Sequence, residues 1–352
     1  MPPKKLEKSR ATIHKTIAAL VDYEDLMLCV LARLPVKSIF RFKSVSFIIH
    51  RVYKNHSNTI SVFNIDSNEK KPRILHTPFN YTRVGCCNGL VCIRRGQGFI
   101  LWNPAMNLSK TVSPLKDHES VRLGLGYDAE GDDFKVVRIL FKNKRRLNSR
   151  MCVSCVEVYS VNSDSWTTID PDFQFSKLKI YRIKNSATVN GNPYWVGKVN
   201  AIEYVLVCFD MSKLVFKIVP LSTLDYNEAD VEFVDLNGSL GAIVFTWRKT
   251  YVDVWVFHNV EQVWTKSHSV PIEVKMDRVL RCLKDGRVLG KRPKGQLIVF
   301  DSKTKCVKGV FTVGHDFEIN DYTATLARPR NGALRKGRHA LEEIEGALSF
   351  FV

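Results

Sequence analysis

Long apolar runs are missing from this sequence. The longest resemble residues 205–209, far short of the roughly 18 residues that a membrane helix needs. No apolar stretch follows the basic start at Lys4, Lys5 and Lys8, so no secretory signal is expected and the chain reads as intracellular, in cytoplasm, nucleus or both. Cysteine pairing is missing as well: nine cysteines are an odd number, a disulfide framework would leave one over, and reduced thiols are expected. Cys152 and Cys155 have CxxC spacing, but a structural zinc takes four ligands and no second such pair or His pair accompanies them. Acids are in short supply: 35 against 53 Lys and Arg, a net charge of +18. That excess invites a nucleic-acid reading only if it gathers on one face or element. With 45% hydrophobic and 25% charged residues, the composition is that of a folded globular chain.

The first part of the chain has helical spacing. Residues 1–20 are basic without a clear period and read as a flexible leader. Asp22 can cap a helix, Glu24 and Asp25 fill its first turn, and Leu26, Val30 and Leu34 recur one turn apart. Pro35 stops this helix and can begin the next, which places Ile39, Phe42 and Val45 on one side. A third helical run is expected from Ile48 through Tyr53 to about Asn55. A unit of about 40 residues, here 21–57, cannot bury much by itself and needs a partner surface.

From residue 58 to 326 the pattern is short apolar strands bounded by Asn, Asp, Gly and Pro. Trp102, Tyr159, Phe209, Phe257 and Phe300 end comparable runs at intervals of 57, 50, 48 and 43 residues. Seven positions later stand Ser109, Trp166, Phe216, Trp264 and Val307, large aromatics in three of the five. Asn88-Gly89, Asn190-Gly191, Asn237-Gly238 and Asp285-Gly286 precede four of the runs and read as type I′ hairpins. Each copy is then about four strands, the size of a propeller blade, and Trp102, Tyr159, Trp166, Phe209, Phe216, Phe257, Trp264 and Phe300 form the repeat core. The run at 61–64 reads as a degenerate sixth copy with Lys70 at the offset. The expected fold is mainly β, with a small α unit before a β-propeller-like domain of five or six blades; the alternative is a β-sandwich built from the same hairpins.

Residues 30–46 resemble the F-box of plant F-box proteins, in an Arg33-Leu34-Pro35-Val36-Lys37-Ser38 run followed by Arg41-Phe42-Lys43 and Val45-Ser46. Residues 87–92, 101–105, 124–128, 156–166 and 189–191 resemble the F-box-associated, kelch-like domain that follows it in that family. The resemblance implies a substrate-recognition subunit of an SCF-type (cullin-RING) ubiquitin ligase. The F-box would dock on a Skp-type adaptor, and through it a cullin, while the β domain holds an unknown target protein. It further implies that Leu26, Val30, Leu31, Leu34, Pro35, Ile39 and Val45 bind the adaptor. Two positions depart from the family pattern: Asp22-Tyr23 replaces a Leu-Pro pair, and Ile49 stands where a Trp is usual in the third helix. An aromatic lost from a docking helix costs about 2 kcal/mol or more where it is a hot spot.

Enzyme motifs fail on inspection. Residues 286–292 imitate a phosphate loop with three residues between the glycines instead of four. Gly124 and Gly126 lack the third glycine of a dinucleotide site, and Gly238-Ser239 lacks the spacing of a nucleophile elbow. No HExxH is present. The resemblance implies a non-catalytic subunit, and these motifs point to no cofactor or metal. The basic residues gather in three places. One is Lys142, Lys144, Arg145 and Arg146, a patch suited to an acidic partner. The others are residues 291–294 and a tail at 327–352 with a short amphipathic stretch at Leu341, Ile344 and Leu348. These are loops without interleaved aromatics, which argues against nucleic acid. A basic propeller binding nucleic acid or an acidic partner is the alternative function.

Overall fold

A computed structural model describes residues 46–52, 59–66, 73–75, 84–106, 108–115, 120–142, 152–170, 179–180, 187–199, 203–224, 230–246, 249–314, 316–325 and 327–329. Among these there is no α-helix; twenty-five strands form six separate antiparallel sheets. The second sheet is a plain meander of β4 (Val84–Cys87), β5 (Leu90–Arg95), β6 (Gly98–Asn103) and β7 (Leu108–Val112). The third repeats it with β8 (Ser120–Asp128), β9 (Asp133–Lys142), β10 (Cys152–Ser160) and β11 (Ser165–Ile169). In the fourth, β12 (Lys179–Ile180) and β13 (Ala187–Val189) share the edge of β14 (Asn192–Val199), followed by β15 (Glu203–Asp210) and β16 (Val215–Pro220). The fifth comprises β17 (Asp230–Leu236), β18 (Ser239–Phe245), β19 (Tyr251–His258) and β20 (Val263–Pro271). The sixth holds β21 (Arg278–Cys282), β22 (Arg287–Arg292), β23 (Gln296–Asp301) and β24 (Cys306–Thr312).

The first sheet is assembled from both parts of the chain. β25 (Asp316–Tyr322) lies beside β1 (Ser46–Val52), then come β2 (Thr59–Asn64) and β3 (Arg73–Leu75). The fold is a six-bladed β-propeller, and this sheet closes its ring. Its register runs from Ser46 opposite Tyr322 to Val52 opposite Asp316. The sandwich alternative is not found. The degenerate copy at 61–64 is the third strand of the first blade; Lys70 lies outside the described residues.

The repeat spacing has a simple geometric cause. In all five recognised copies the anchor and the residue seven positions on are direct cross-strand partners: Trp102 with Ser109, Tyr159 with Trp166, Phe209 with Phe216, Phe257 with Trp264, and Phe300 with Val307. A four-residue turn separates the strands, so seven positions return the chain to the same register. The residue after the anchor shapes that turn. Asn103, Asp210 and Asp301 each accept two turn amides through one side-chain oxygen, at 2.9–3.3 Å, a local bond that favours a turn over a continued strand. The aromatic pairs meet edge-on or tilted, with centroids at 5.4 Å for Tyr159–Trp166, 4.8 Å for Phe209–Phe216 and 5.2 Å for Phe257–Trp264. Two of the indoles also reach the preceding blade: Trp166 donates to the Ser113 carbonyl (3.2 Å) and Trp264 to that of Pro220 (2.8 Å).

Three hairpins have positive φ at both central residues, as at Asn88 (43°) and Gly89 (77°), so their type I′ reading holds. The fourth is corrected. Asp285 keeps negative φ and only Gly286 is left-handed, at 95°. The Gly286 amide donates to Leu283 O (3.0 Å) and the Leu283 amide to Arg287 O (2.8 Å), a wider turn with its glycine last.

Each interface between neighbouring blades is a separate apolar cluster, six among the described residues. β6 shows why its run is apolar without alternation: all six of its residues are buried because a blade covers each face. The same holds for β1, and this overturns the expected third helix. Ile48 and Ile49 are strand residues with no exposed surface; Ile48 packs toward the second blade and Ile49 toward the sixth. The helical expectation rested on apolar neighbours that a strand covered on both faces also requires. Residues 53–58 and the expected helices before Ser46 lie outside the described residues.

Replacing Ile49 with Ala is expected to lower the unfolding free energy by about 2–5 kcal/mol, measured by urea unfolding. Unchanged stability would place Ile49 outside the blade.

Candidate protein-interaction site

The first strand of each blade in spatial order, β25, β4, β8, β13, β17 or β21, faces the axis. Together they line a channel of about 950 Å³. Two glycines set its width on one side. A Cβ at Gly124 would fall against the Trp195 ring and one at Gly126 against the Gly191 carbonyl, so both positions allow the fourth blade to approach β8 closely. The glycines singled out as a failed dinucleotide motif are packing positions.

The two mouths differ in charge. The turn from first to second strand lies at the lower end of the second to sixth blades, and the connection from second to third strand at the upper end of every blade. Arg94, Arg122, Arg278 and Lys291 line the upper end beside Glu232 and Glu318. Asn88, Tyr127, Asn190 and Asp235 line the lower end. Three blades are tied across the wall by one network. Glu232 on β17 accepts from Arg278 (2.7 Å) and Arg281 (3.5 Å) of β21, and Arg281 reaches Asp321 of β25 (2.9 Å). Arg278 also meets Asp230 at 3.1 Å. Burial pushes the Glu232 carboxyl up, and the two guanidinium groups limit that rise. Burial works against the Arg281 charge, but Asp321 and Glu232 outweigh it and hold its pKa above the usual value. Such a network orients the arginines rather than adding much net stability.

At the lower rim Asp128 joins the third and fourth blades. It accepts from Lys135 (2.6 Å), Ser212 (2.5 Å) and the amides of Glu130 and Gly131 (3.1 Å each). Burial opposes its charge, yet these donors hold its carboxyl well below the usual carboxylate range. Within the third blade, Arg138 and Glu157 form a buried cross-strand pair at 2.5 Å.

The thiols here are packing groups. Cys87 and Cys92 are buried in the cluster between the second and third blades, and burial pushes both up to about 12. Cys282 is pushed up to about 12 for the same reason. An unreactive thiol is a poor nucleophile and a poor ligand at neutral pH. Among the described residues no group of three or more His, Cys, Asp or Glu is placed to hold a metal, and no helix is long and apolar enough to cross a membrane. What the channel and its rims offer is oriented charge.

The residues expected from sequence fall into three sets. The repeat core is brought together as described: Trp102, Tyr159, Phe209, Phe257, Trp264 and Phe300 are buried, and Trp166 and Phe216 partly so. The adaptor-binding set, Leu26, Val30, Leu31, Leu34, Pro35, Ile39 and Val45, lies outside the described residues. So do Lys144, Arg145 and Arg146; Lys142 is the last residue of β9, at the upper end of its blade. Sequence reasoning missed Glu232, Arg278, Arg281 and Asp321. They stand on strands that carry other charges as well, and no linear spacing links three strands that meet only in the ring.

These features define a closed six-bladed β-propeller with a charged axial channel. A model of the family described as the F-box associated beta propeller domain matches residues 32–328, and the chain belongs to that family. It is similar to an F-box/kelch-repeat protein of Arabidopsis thaliana, 25% identical over 294 residues that span 70% of this chain and 79% of the relative. It is also similar to the F-box protein CPR1 of the same plant, 28% identical over 256 residues that span 63% and 61%. Among solved structures, a chain of a nidogen/laminin complex matches at a TM-score of 0.46 and 10% identity, covering 80% of this chain and 99% of that one.

Two outcomes are expected. Asp128 contributes stability that is full above its unfolded value near 3.9 and is lost as pH falls toward its lower folded value. Asp128→Asn should therefore flatten the acid limb of a pH–stability curve while lowering stability at neutral pH. In thiol labelling read by mass spectrometry, exposed Cys306 should react before half-buried Cys282, with buried Cys87 and Cys92 protected until unfolding; early labelling of Cys92 would contradict the packing described.

Proposed function

We propose that this chain is the substrate-recognition subunit of an SCF-type ubiquitin ligase. The observation that carries the reading is the F-box-like run at 30–46 joined directly to a closed propeller of the F-box associated family. In this reading Leu26, Val30, Leu31, Leu34, Pro35, Ile39 and Val45 dock on a Skp-type adaptor that links to a cullin, and the propeller holds the target. The chain supplies no catalytic group of its own. Holding a target beside a charged conjugating enzyme raises effective concentration, and the transfer is performed by other subunits.

Strand β1 favours a second reading. Because Ile48 and Ile49 belong to the first blade, any docking helix has to end by about Val45. A shortened F-box weakens adaptor binding and leaves a basic propeller that binds its partner alone.

Co-purification of the full chain with a Skp-type adaptor decides between them. The first reading expects a stable complex that Leu34→Asp abolishes, with thermal unfolding of the propeller unchanged. A folded chain that retains no adaptor in either form overturns it in favour of the second.

A further inference from the structure

The connections between second and third strands all emerge on the upper face, and the described ones are basic. Arg94 and Arg95 end β5, Lys249 precedes β19, and Lys291, Arg292 and Lys294 end β22 and form the turn after it. They stand on the second, fifth and sixth blades. No carboxylate occurs in the described connecting residues 96–97, 249–250 or 293–295. Arg95, Lys249 and Lys294 are exposed. Among the described residues, no ion pair holds Arg95, Lys249, Arg292 or Lys294. Several of these chains are held in place by the fold. Arg94 donates to the carbonyls of Gly96 (3.2 Å) and Val121 (3.1 Å), Arg292 to that of Lys275 (3.1 Å), and Lys291 sits over the Phe317 ring at 5.0 Å.

Of the carboxylates near this face, Asp230 is engaged with Arg278 and Glu273 with Lys305 at 2.7 Å, while Glu203 and Asp277 are exposed. The lower face is mixed: its turns carry Glu130, Asp132, Asp164, Glu261 and Asp285 together with Lys213, Lys284, Lys303 and Lys305. The upper connections thus place basic residues from three blades around one mouth. Cations distributed over separate blades around a concave mouth set up a focused field, and guanidinium forks match carboxylates in two-point bonds.

We infer that the upper face binds a carboxylate-rich segment of a protein chain. Naming that segment as part of a ligase target rests on the receptor reading above; the binding itself does not. A nucleic acid fits less well. Its regularly spaced phosphates would meet Glu318 and Glu232 in the mouth, and the face offers no series of aromatics on which bases could stack. A peptide can place its acids on the ring and present another side chain to the channel.

Fluorescence polarisation on the full chain tests this with a labelled Glu/Ser peptide, a Lys/Ser peptide and a single-stranded DNA oligonucleotide of similar length. The acidic peptide is expected to bind at least about tenfold more tightly than the basic one, with an affinity that falls as salt rises. Arg95→Glu combined with Lys249→Glu should weaken it by about tenfold or more. Lys294→Asn should weaken it by a smaller factor, because Asn tolerates the left-handed φ of 63° at that turn. Lys213→Glu with Lys303→Glu, on the lower face, should leave binding within about twofold. Far-UV circular dichroism checks that each variant is folded. Absent binding of the acidic peptide, an equal loss from the lower-face pair, or tighter binding of the oligonucleotide with the same loss in the upper-face variant would each overturn the inference. Peptide binding by a chain that retains no adaptor supports the inference while removing the receptor reading.

Discussion

The pairing of β1 with β25 closes the ring, and the rest of the molecule depends on it. A blade covers its apolar faces only against neighbours, so an open row of six would leave two faces bare. Bringing strands about 265 residues apart into register costs on the order of 5 kcal/mol in loop closure. The antiparallel ladder from Ser46–Tyr322 to Val52–Asp316 and the burial of Phe47, Ile48 and Ile49 offset it, since each such side chain contributes roughly 1.5–3 kcal/mol on leaving water. The closure is reinforced on both sides. Arg287 of the sixth blade meets Asp66 beyond β2 at 2.6 Å. Asn103 of the second blade donates to the carbonyls of Thr325 and Ala327, just past β25, at 2.8 and 2.7 Å.

Closure also explains how charge comes to be arranged. Once the strands are fixed in a ring, every second-to-third-strand connection must lie at one end and every first-to-second-strand turn at the other. Basic residues that are dispersed through the sequence become neighbours around one mouth. Acids in the lower turns, by contrast, are used locally. Asp210 and Asp301 shape turns by accepting amides, and Asp128 ties two blades together. The upper connections keep basic residues such as Arg95, Lys249 and Lys294 that are exposed and meet no carboxylate among the described residues.

Much of the fold was legible because it is written in local geometry. Residues seven apart pair across a four-residue turn, so Tyr159–Trp166 and Phe257–Trp264 could be recognised without any model of the ring. Asn88-Gly89 required positive φ at both positions and has it. Asp285-Gly286 looked alike but turns differently, because Asp at the first position does not compel the left-handed conformation. The third helix failed for a related reason: consecutive apolar residues satisfy a buried strand as well as a helix. The wall network of Glu232, Arg278, Arg281 and Asp321 was invisible, since its acids and its arginines come from three strands distant in sequence.

The sequence by itself therefore determined the repeat: blade size, strand order within a blade, the aromatic pairs and the tight turns, all set by interactions within about ten residues of one another. Only the tertiary structure decided that residues 46–52 belong to the first blade, and that charges from three strands form one wall and basic loops from separate blades lie around one mouth. The physical reason is the same in each case. Backbone turn preferences act through neighbouring residues, whereas ring closure and electrostatic grouping act through space between residues whose separation in sequence carries no signal.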